Sequence, residues 1–296
     1  MIPTPDDVDS YVLLRDRCGY RLAGAAKLLK EFLAVLAENG ASKITIRFAL
    51  QFATRNRDHK LVHWAKRLTI IRGFASHMTA TLPETEVPPP HLIHAAYRRP
   101  TPHIYTPSET RRILKVAIGM RFSSNLLSRT YHALYGLLIT TGLRLGEALG
   151  LRRDEIDLVN GVVSVAASKG RRLRWVPLHP TATENLRRYA LFRDVFFKAR
   201  PVAPVFFLSS SGGPLVASTV RDAFRRVLAA CRIAPRGEYI RPRLHDFRHT
   251  YAVRSLLRMR REGTEIATGL ENLATYLGHS KVEYTYWYLK IGRAHV

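Results

Sequence analysis

The sequence predicts a mainly α protein of two domains: a small all-helical N-terminal bundle, then an α+β domain with a small antiparallel sheet on a helical body. Three observations predict it. Apolar residues recur at helical spacing through most of residues 21–78. Proline then interrupts the pattern in Pro83-Glu-Thr-Glu-Val-Pro-Pro-Pro90 and Arg98-Arg-Pro-Thr-Pro102. Beyond it, Asn160-Gly161 stands between two short β-branched runs in an otherwise helical stretch, the composition of a hairpin. A length of 296 residues, 46% of them apolar, suits two domains with ordinary cores.

Taken in order, Arg21 to Glu38 places Leu22, Ala25, Leu29, Phe32, Leu33 and Leu36 on one helical face, and Asn39-Gly40 supplies the stop. Ile44 to Arg55 and His59 to Met78 repeat the pattern around Phe48, Phe52, Leu68, Ile71 and Phe74, completing a bundle over residues 1–98. Residues 99–106 read as a linker. In the second domain, residues 107–290, Thr106-Pro-Ser-Glu109 opens a helix with a capping hydroxyl and a first-turn proline. A long apolar helix over Leu126–Thr141 stops at Gly142. Strands are expected at Ile156–Leu158, Val162–Val165 and Arg174–Leu178, the last two joined through Ser168-Lys169-Gly170. Helices follow at about 183–197, 218–231, 245–261, 271–277 and 282–289.

The charge is +24, from 47 basic and 23 acidic residues, and such a folded surface attracts polyanions: nucleic acid, an anionic membrane or a ribosome. It is uneven, with 15 basic against 9 acidic residues before position 101 and 32 against 14 after it. Two distant cysteines, Cys18 and Cys231, exclude a disulfide scaffold and a cysteine zinc site. The acidic start and the lack of any run of 18 apolar residues speak against a signal peptide and a membrane span.

Four segments of the second domain carry reactive side chains: Thr141-Gly-Leu-Arg144-Leu-Gly-Glu147-Ala-Leu149, Ser168-Lys169-Gly170, His245-Asp-Phe-Arg248-His-Thr250, and Leu277-Gly-His279 followed nine residues later by Tyr288. Singly, each has an ordinary structural reading: an arginine paired to Glu147, a solvated turn lysine, a capping histidine, a core tyrosine. Jointly they suit attack of a tyrosine on a phosphodiester. Charge gathering on the phosphate oxygens then meets two guanidiniums, whose planar forks match phosphate and which keep their protons. A phenol with a pKa of about 10 needs a base or a positive field to attack, and a lysine can protonate the departing hydroxyl. One phosphodiester replaces another, so neither metal, cofactor nor ATP is needed.

These strings, in this order over residues 106–289, resemble the tyrosine recombinases, or phage-type integrases. The resemblance implies an N-terminal SAM-like core-binding domain and a C-terminal recombinase catalytic domain closing as a C-shaped clamp round double-stranded DNA. It makes Arg144 and Arg248 the phosphate clamp and Lys169 the general acid toward the 5′ hydroxyl. It makes His245 and His279 the hydrogen-bonding and proton-handling pair, Tyr288 the nucleophile of a 3′-phosphotyrosyl link, and Glu147 a structural support. It also implies a tetramer on two duplexes, possible companion recombinases, and a bacterial, cytoplasmic, nucleoid-associated enzyme without a membrane anchor. Around the scissile phosphate, Arg171, Arg172, Arg174, Arg241 and Arg243 are expected to track the backbone, with Lys43, Arg47, Arg55, Arg57 and Lys60 on the opposite jaw.

Two departures from the family pattern stand out. From His245 to His279 runs 34 residues, longer than in compact Xer-like members through extra sequence near Arg258–Gly263, which points to a subgroup carried on transposons or plasmids. The chain also ends soon after Tyr288, where family members continue into a segment that docks on a neighbour. Residues 291–296, Ile-Gly-Arg-Ala-His-Val, match the translation of a common sequencing adapter and are expected to be foreign, leaving a chain that cleaves DNA but assembles poorly. Two other activities fit much of the pattern: type IB topoisomerase-like nicking and closing, and DNA binding without catalysis as an accessory protein.

Overall fold

The protein is described by a computed structural model covering residues 2–20, 22–95, 101–166, 173–198, 200–234, 241–279 and 281–293. Its contacts divide the chain into two compact units, Met1–Arg99 and Pro100–Val296.

The first unit holds helices α1 (Pro5–Arg17), α2 (Ala23–Glu38), α3 (Ile46–Thr54) and α4 (Leu61–Met78). Helix α1 is absent from the sequence-based assignment. It starts on a capping box in which the Thr4 side chain accepts from the Asp7 amide and Asp7 accepts from the Thr4 amide at 2.7 Å. Only Val8 and Tyr11 of α1 are buried, so its apolar periodicity is faint while its cap is strong. The bundle core gathers Leu29, Phe32, Leu36, Ile44, Phe52, Ile71 and Phe74. The proline-rich stretch begins as part of this unit: the Glu86 amide donates to the Ile44 carbonyl and its carboxylate accepts from the Ile46 amide at the start of α3.

The second unit comprises α5 (Pro107–Gly119), α6 (Asn125–Thr141), α7 (Leu145–Gly150), strands β1 (Ile156–Asp157), β2 (Val162–Val165) and β3 (Arg174–Pro177), then α8 (Pro180–Phe197), α9 (Ala217–Ala230), α10 (His245–Arg261), α11 (Ile266–Leu277) and α12 (Glu283–Arg293). The three strands form one antiparallel sheet in sequence order. The expected two-residue turn at Asn160-Gly161 is instead a four-residue loop, because Ile156 pairs with Val163 and Asp157 with Val162. The Asp157 carboxylate causes this: it accepts from the Val159 and Asn160 amides, both at 2.9 Å, and closes a side-chain turn before the glycine.

Helix α6 is the hub, buried along most of its length by α5 and α8, and ended by Gly142 at φ +64°. The segment assigned as a linker belongs partly to this unit. Tyr105 is 1% exposed, its amide donates to Thr250 Oγ1 and its hydroxyl to the Arg243 carbonyl, and burial of its ring contributes about 2 kcal/mol. At the other end, α12 runs across the boundary drawn at residue 291, and Ile291 packs in one cluster with Val253, Leu277 and Tyr288. Among the described residues no helix is long and apolar enough to cross a membrane.

Candidate active site

Glu147 organises the first part of the site. It sits at the third position of α7, with Arg144 as the residue before the helix, so its carboxylate folds back to accept the Arg144 amide at 2.9 Å and Arg144 Nη1 at 3.0 Å. The same carboxylate accepts Arg174 Nη2 from β3 at 2.8 Å. Burial pushes the Glu147 carboxyl up, but the Arg144 amide and the two guanidiniums outweigh it and hold the group below the usual glutamate range.

The C-terminus of α11 supplies the second part. A helix end leaves carbonyls without intrahelical partners and carries partial negative charge, which draws cations. Here the Leu277 carbonyl accepts from Arg144 Nη1 at 3.2 Å and from Arg248 Nη2 at 2.6 Å. Arg144 also reaches the Gly278 carbonyl at 3.4 Å, and Arg248 Nη1 donates to the Gly142 carbonyl at 2.9 Å. Two guanidiniums from sequence positions 104 residues apart thus share one carbonyl oxygen. Arg248 is buried, and its pKa is pushed down to about 10, mainly by burial and further by Arg144, with the Tyr288 phenol and Glu147 acting against the shift.

The nucleophile assigned from sequence, Tyr288, lies on α12 and is 2% exposed. Its ring stacks on His279, centroids 6.2 Å apart and planes 14° apart. His279 is turned by Thr285, whose hydroxyl lies 2.8 Å from His279 Nδ1. The Tyr288 hydroxyl meets His249 Nδ1 at 3.1 Å. His249 received no role from sequence, although it stands inside the His-x-x-Arg-His-Thr string; its place four residues after His245 on a helix face was the available signal. The His245 and His249 rings lie edge to face at 4.6 Å.

Arg144, Arg248, His279 and Tyr288, with Glu147 as support, therefore converge around the end of α11, and His245 stands at the first turn of α10 beside them. Lys169, Arg171 and Arg172 lie outside the described residues. Arg174 is committed to Glu147 rather than extended toward solvent, its side chain 11% exposed. Arg241 and Arg243 line a cleft of about 700 Å³ with Arg144, His245, Arg221 and Arg225, over a floor containing Phe224 and Leu228. Arg243 is also held by Asp246 at 3.0 Å, and Arg225 pairs with Asp222. In the first unit, Lys43 lies 3.8 Å from Glu86, Arg55 pairs with Glu31 at 2.7 Å, and Arg47 is exposed over the Phe48 ring. Among the described residues, no three His, Cys, Asp or Glu side chains form a metal-binding group.

A phenol, two guanidiniums held on one carbonyl and imidazoles thus meet on a helical body with a three-stranded sheet, a set of groups whose chemistry suits phosphoryl transfer. The phage integrase family profile matches residues 105–295. An integrase/recombinase named y4rB from Sinorhizobium fredii is 33% identical over 285 residues, 95% of this chain and 91% of that protein. The tyrosine recombinase XerC of Anoxybacillus flavithermus is 28% identical over 206 residues, 66% of this chain and 60% of the relative. In fold, the chain is similar to the Tn1549 transposon integrase solved in complex with transposon right end DNA, with a TM-score of 0.63, 16% identity and 98% of each chain covered. The chain belongs to the phage integrase family and is a site-specific DNA recombinase of the tyrosine class.

Proposed function

We propose that this recombinase exchanges strands of double-stranded DNA through a covalent 3′-phosphotyrosyl intermediate, with Tyr288 as nucleophile and Arg144 and Arg248 as the phosphate clamp. The observation that carries the reading is the shared Leu277 carbonyl, which holds both guanidiniums side by side at the end of the helix preceding the Tyr288 helix. In the forward step the Tyr288 oxygen bonds to phosphorus and the bond to the 5′ oxygen breaks. That oxygen takes a proton from Lys169, while the guanidiniums stabilise the charge on the non-bridging oxygens. Attack by a 5′ hydroxyl of another strand reverses the step on a new partner. His245 and His279 hydrogen-bond and handle protons beside the clamp.

Arg248 and Tyr288 are each 2% exposed, so phosphate reaches them only when the residues covering the site yield to DNA. The arginine-lined cleft beside His245 offers a path for the backbone, and Arg241 and Arg243 fit its tracking. A tetramer on two duplexes, with or without a companion recombinase, completes the exchange, and a mobile element is the genetic setting this chemistry serves.

The test uses a duplex recovered from a random library by binding to the full chain, with nicks scanned across it so that the cleaved fragment diffuses away. A covalent protein–DNA adduct should form in EDTA and vanish in Tyr288→Phe. A metal requirement, or an adduct that survives the substitution, defeats the proposal.

A further inference from the structure

We infer that His249 is the base that takes the proton from Tyr288 as the phenol attacks, an inference that rests on Tyr288 being the nucleophile. The sequence pattern spreads proton handling over His245 and His279, yet His249 Nδ1 stands on the phenol oxygen at 3.1 Å. That distance is a direct hydrogen bond, the geometry a proton acceptor needs. His279 meets the same tyrosine through its ring face, and its Nδ1 is turned to Thr285. His245 meets the His249 ring edge to face. In the neutral tautomer that carries its proton on Nε2, His249 accepts the phenolic hydrogen at Nδ1.

The environment favours the transfer. His249 is 4% exposed and its ring lies against Trp287, at 5.1 Å, and Tyr288, at 5.6 Å, so water is kept from the hydrogen bond. A lone charge placed in so dry a site is costly. The proton moves only from phenol to imidazole, however, so the pair stays neutral overall and the new phenolate and imidazolium attract each other in a poorly screened site. The Arg248 guanidinium is near enough to be stabilised by charge on the Tyr288 oxygen, and so favours the phenolate in turn. The phenolate oxygen then bonds to phosphorus, the 5′ oxygen leaves with the proton of Lys169, and His249 keeps the phenolic proton. In rejoining, His249 returns it to the departing Tyr288 oxygen.

The experiment measures single-turnover adduct formation by the full chain on the nicked duplex selected above. His249→Asn places an amide oxygen near the Nδ1 position, able to accept the hydrogen bond but not the proton. It should slow adduct formation by about 100-fold, the lower end of general-base effects, with DNA affinity unchanged. Replacing Tyr288 by 3,5-difluorotyrosine, which ionises at lower pH, should recover about tenfold in that background, a response that loss of packing alone does not produce. A chain carrying 2-fluorohistidine at position 249, isosteric but far less basic, should be slow in the same way and keeps the test open where the asparagine variant does not fold. Adduct formation at the unsubstituted rate in either variant, or a loss that the fluorinated tyrosine leaves untouched, overturns the role of His249. An adduct persisting in Tyr288→Phe instead overturns the underlying assignment of the nucleophile.

Discussion

At the scale of single residues, Glu147 is the side chain that ties two arginines of the site together. Its two oxygens hold Arg144 from one segment and Arg174 from another. Because its folded pKa lies below the unfolded value, its contribution is present above the unfolded pKa and is lost as pH falls through the folded one. Glu147→Gln should therefore cost about 2 kcal/mol at neutral pH, and the gap in melting temperature from the unsubstituted chain should be full above about pH 5 and close as pH drops below about 4. Melting curves across that range check it; a gap independent of pH shows that the carboxylate charge is not what holds the arginines. The sequence placed Arg144 and Glu147 together because they are three residues apart at a helix start. It assigned Arg174 to DNA, since nothing local shows that β3 returns a guanidinium to that carboxylate.

At the scale of elements, the end of α11 matters more than its length. Gly278 adopts φ +65°, and a Cβ there would stand 2.8 Å from Arg174 Nη1. Backbone conformation and close approach both ask for glycine at this position. Gly278→Ala should cost about 1–2 kcal/mol from the left-handed backbone alone, and by shifting the Leu277 and Gly278 carbonyls it should lower adduct formation more than it lowers DNA affinity. Denaturation and single-turnover cleavage measured together decide this; an equal loss in both shows a folding defect only. An element with a long apolar face, such as α6, is legible almost to the residue from its periodicity. Helix α1 escapes a reading by periodicity because two buried side chains make no stripe, although Thr4-Pro-Asp-Asp7 is a readable start signal. The β1–β2 loop is longer than Asn160-Gly161 alone predicts because the Asp157 side chain sets the turn.

At the scale of the whole molecule, a charge of +24 concentrated after residue 100 acts on a polyanion through released counterions. The cleft arginines sort that charge. Arg221→Ala and Arg241→Ala should each reduce the slope of log affinity against log salt by about 0.9 if they touch phosphate, whereas Arg174→Ala, tied to Glu147, should leave the slope nearly unchanged. Binding titrations of duplex DNA over a range of salt check both expectations.

The sequence by itself determined the family, the helical bundle followed by an α+β domain, and the strings whose side chains gather at the end of α11, because each rests on local information: periodicity, caps, and short strings whose spacing a helix or turn preserves. Only the tertiary structure decided that the His249 imidazole meets the Tyr288 phenol, that Arg174 serves the Glu147 carboxylate, and that one carbonyl at the end of α11 holds both Arg144 and Arg248. Those contacts join segments tens to more than a hundred residues apart. Buried polar groups must find partners wherever packing brings them, and spacing along the chain does not record where that is.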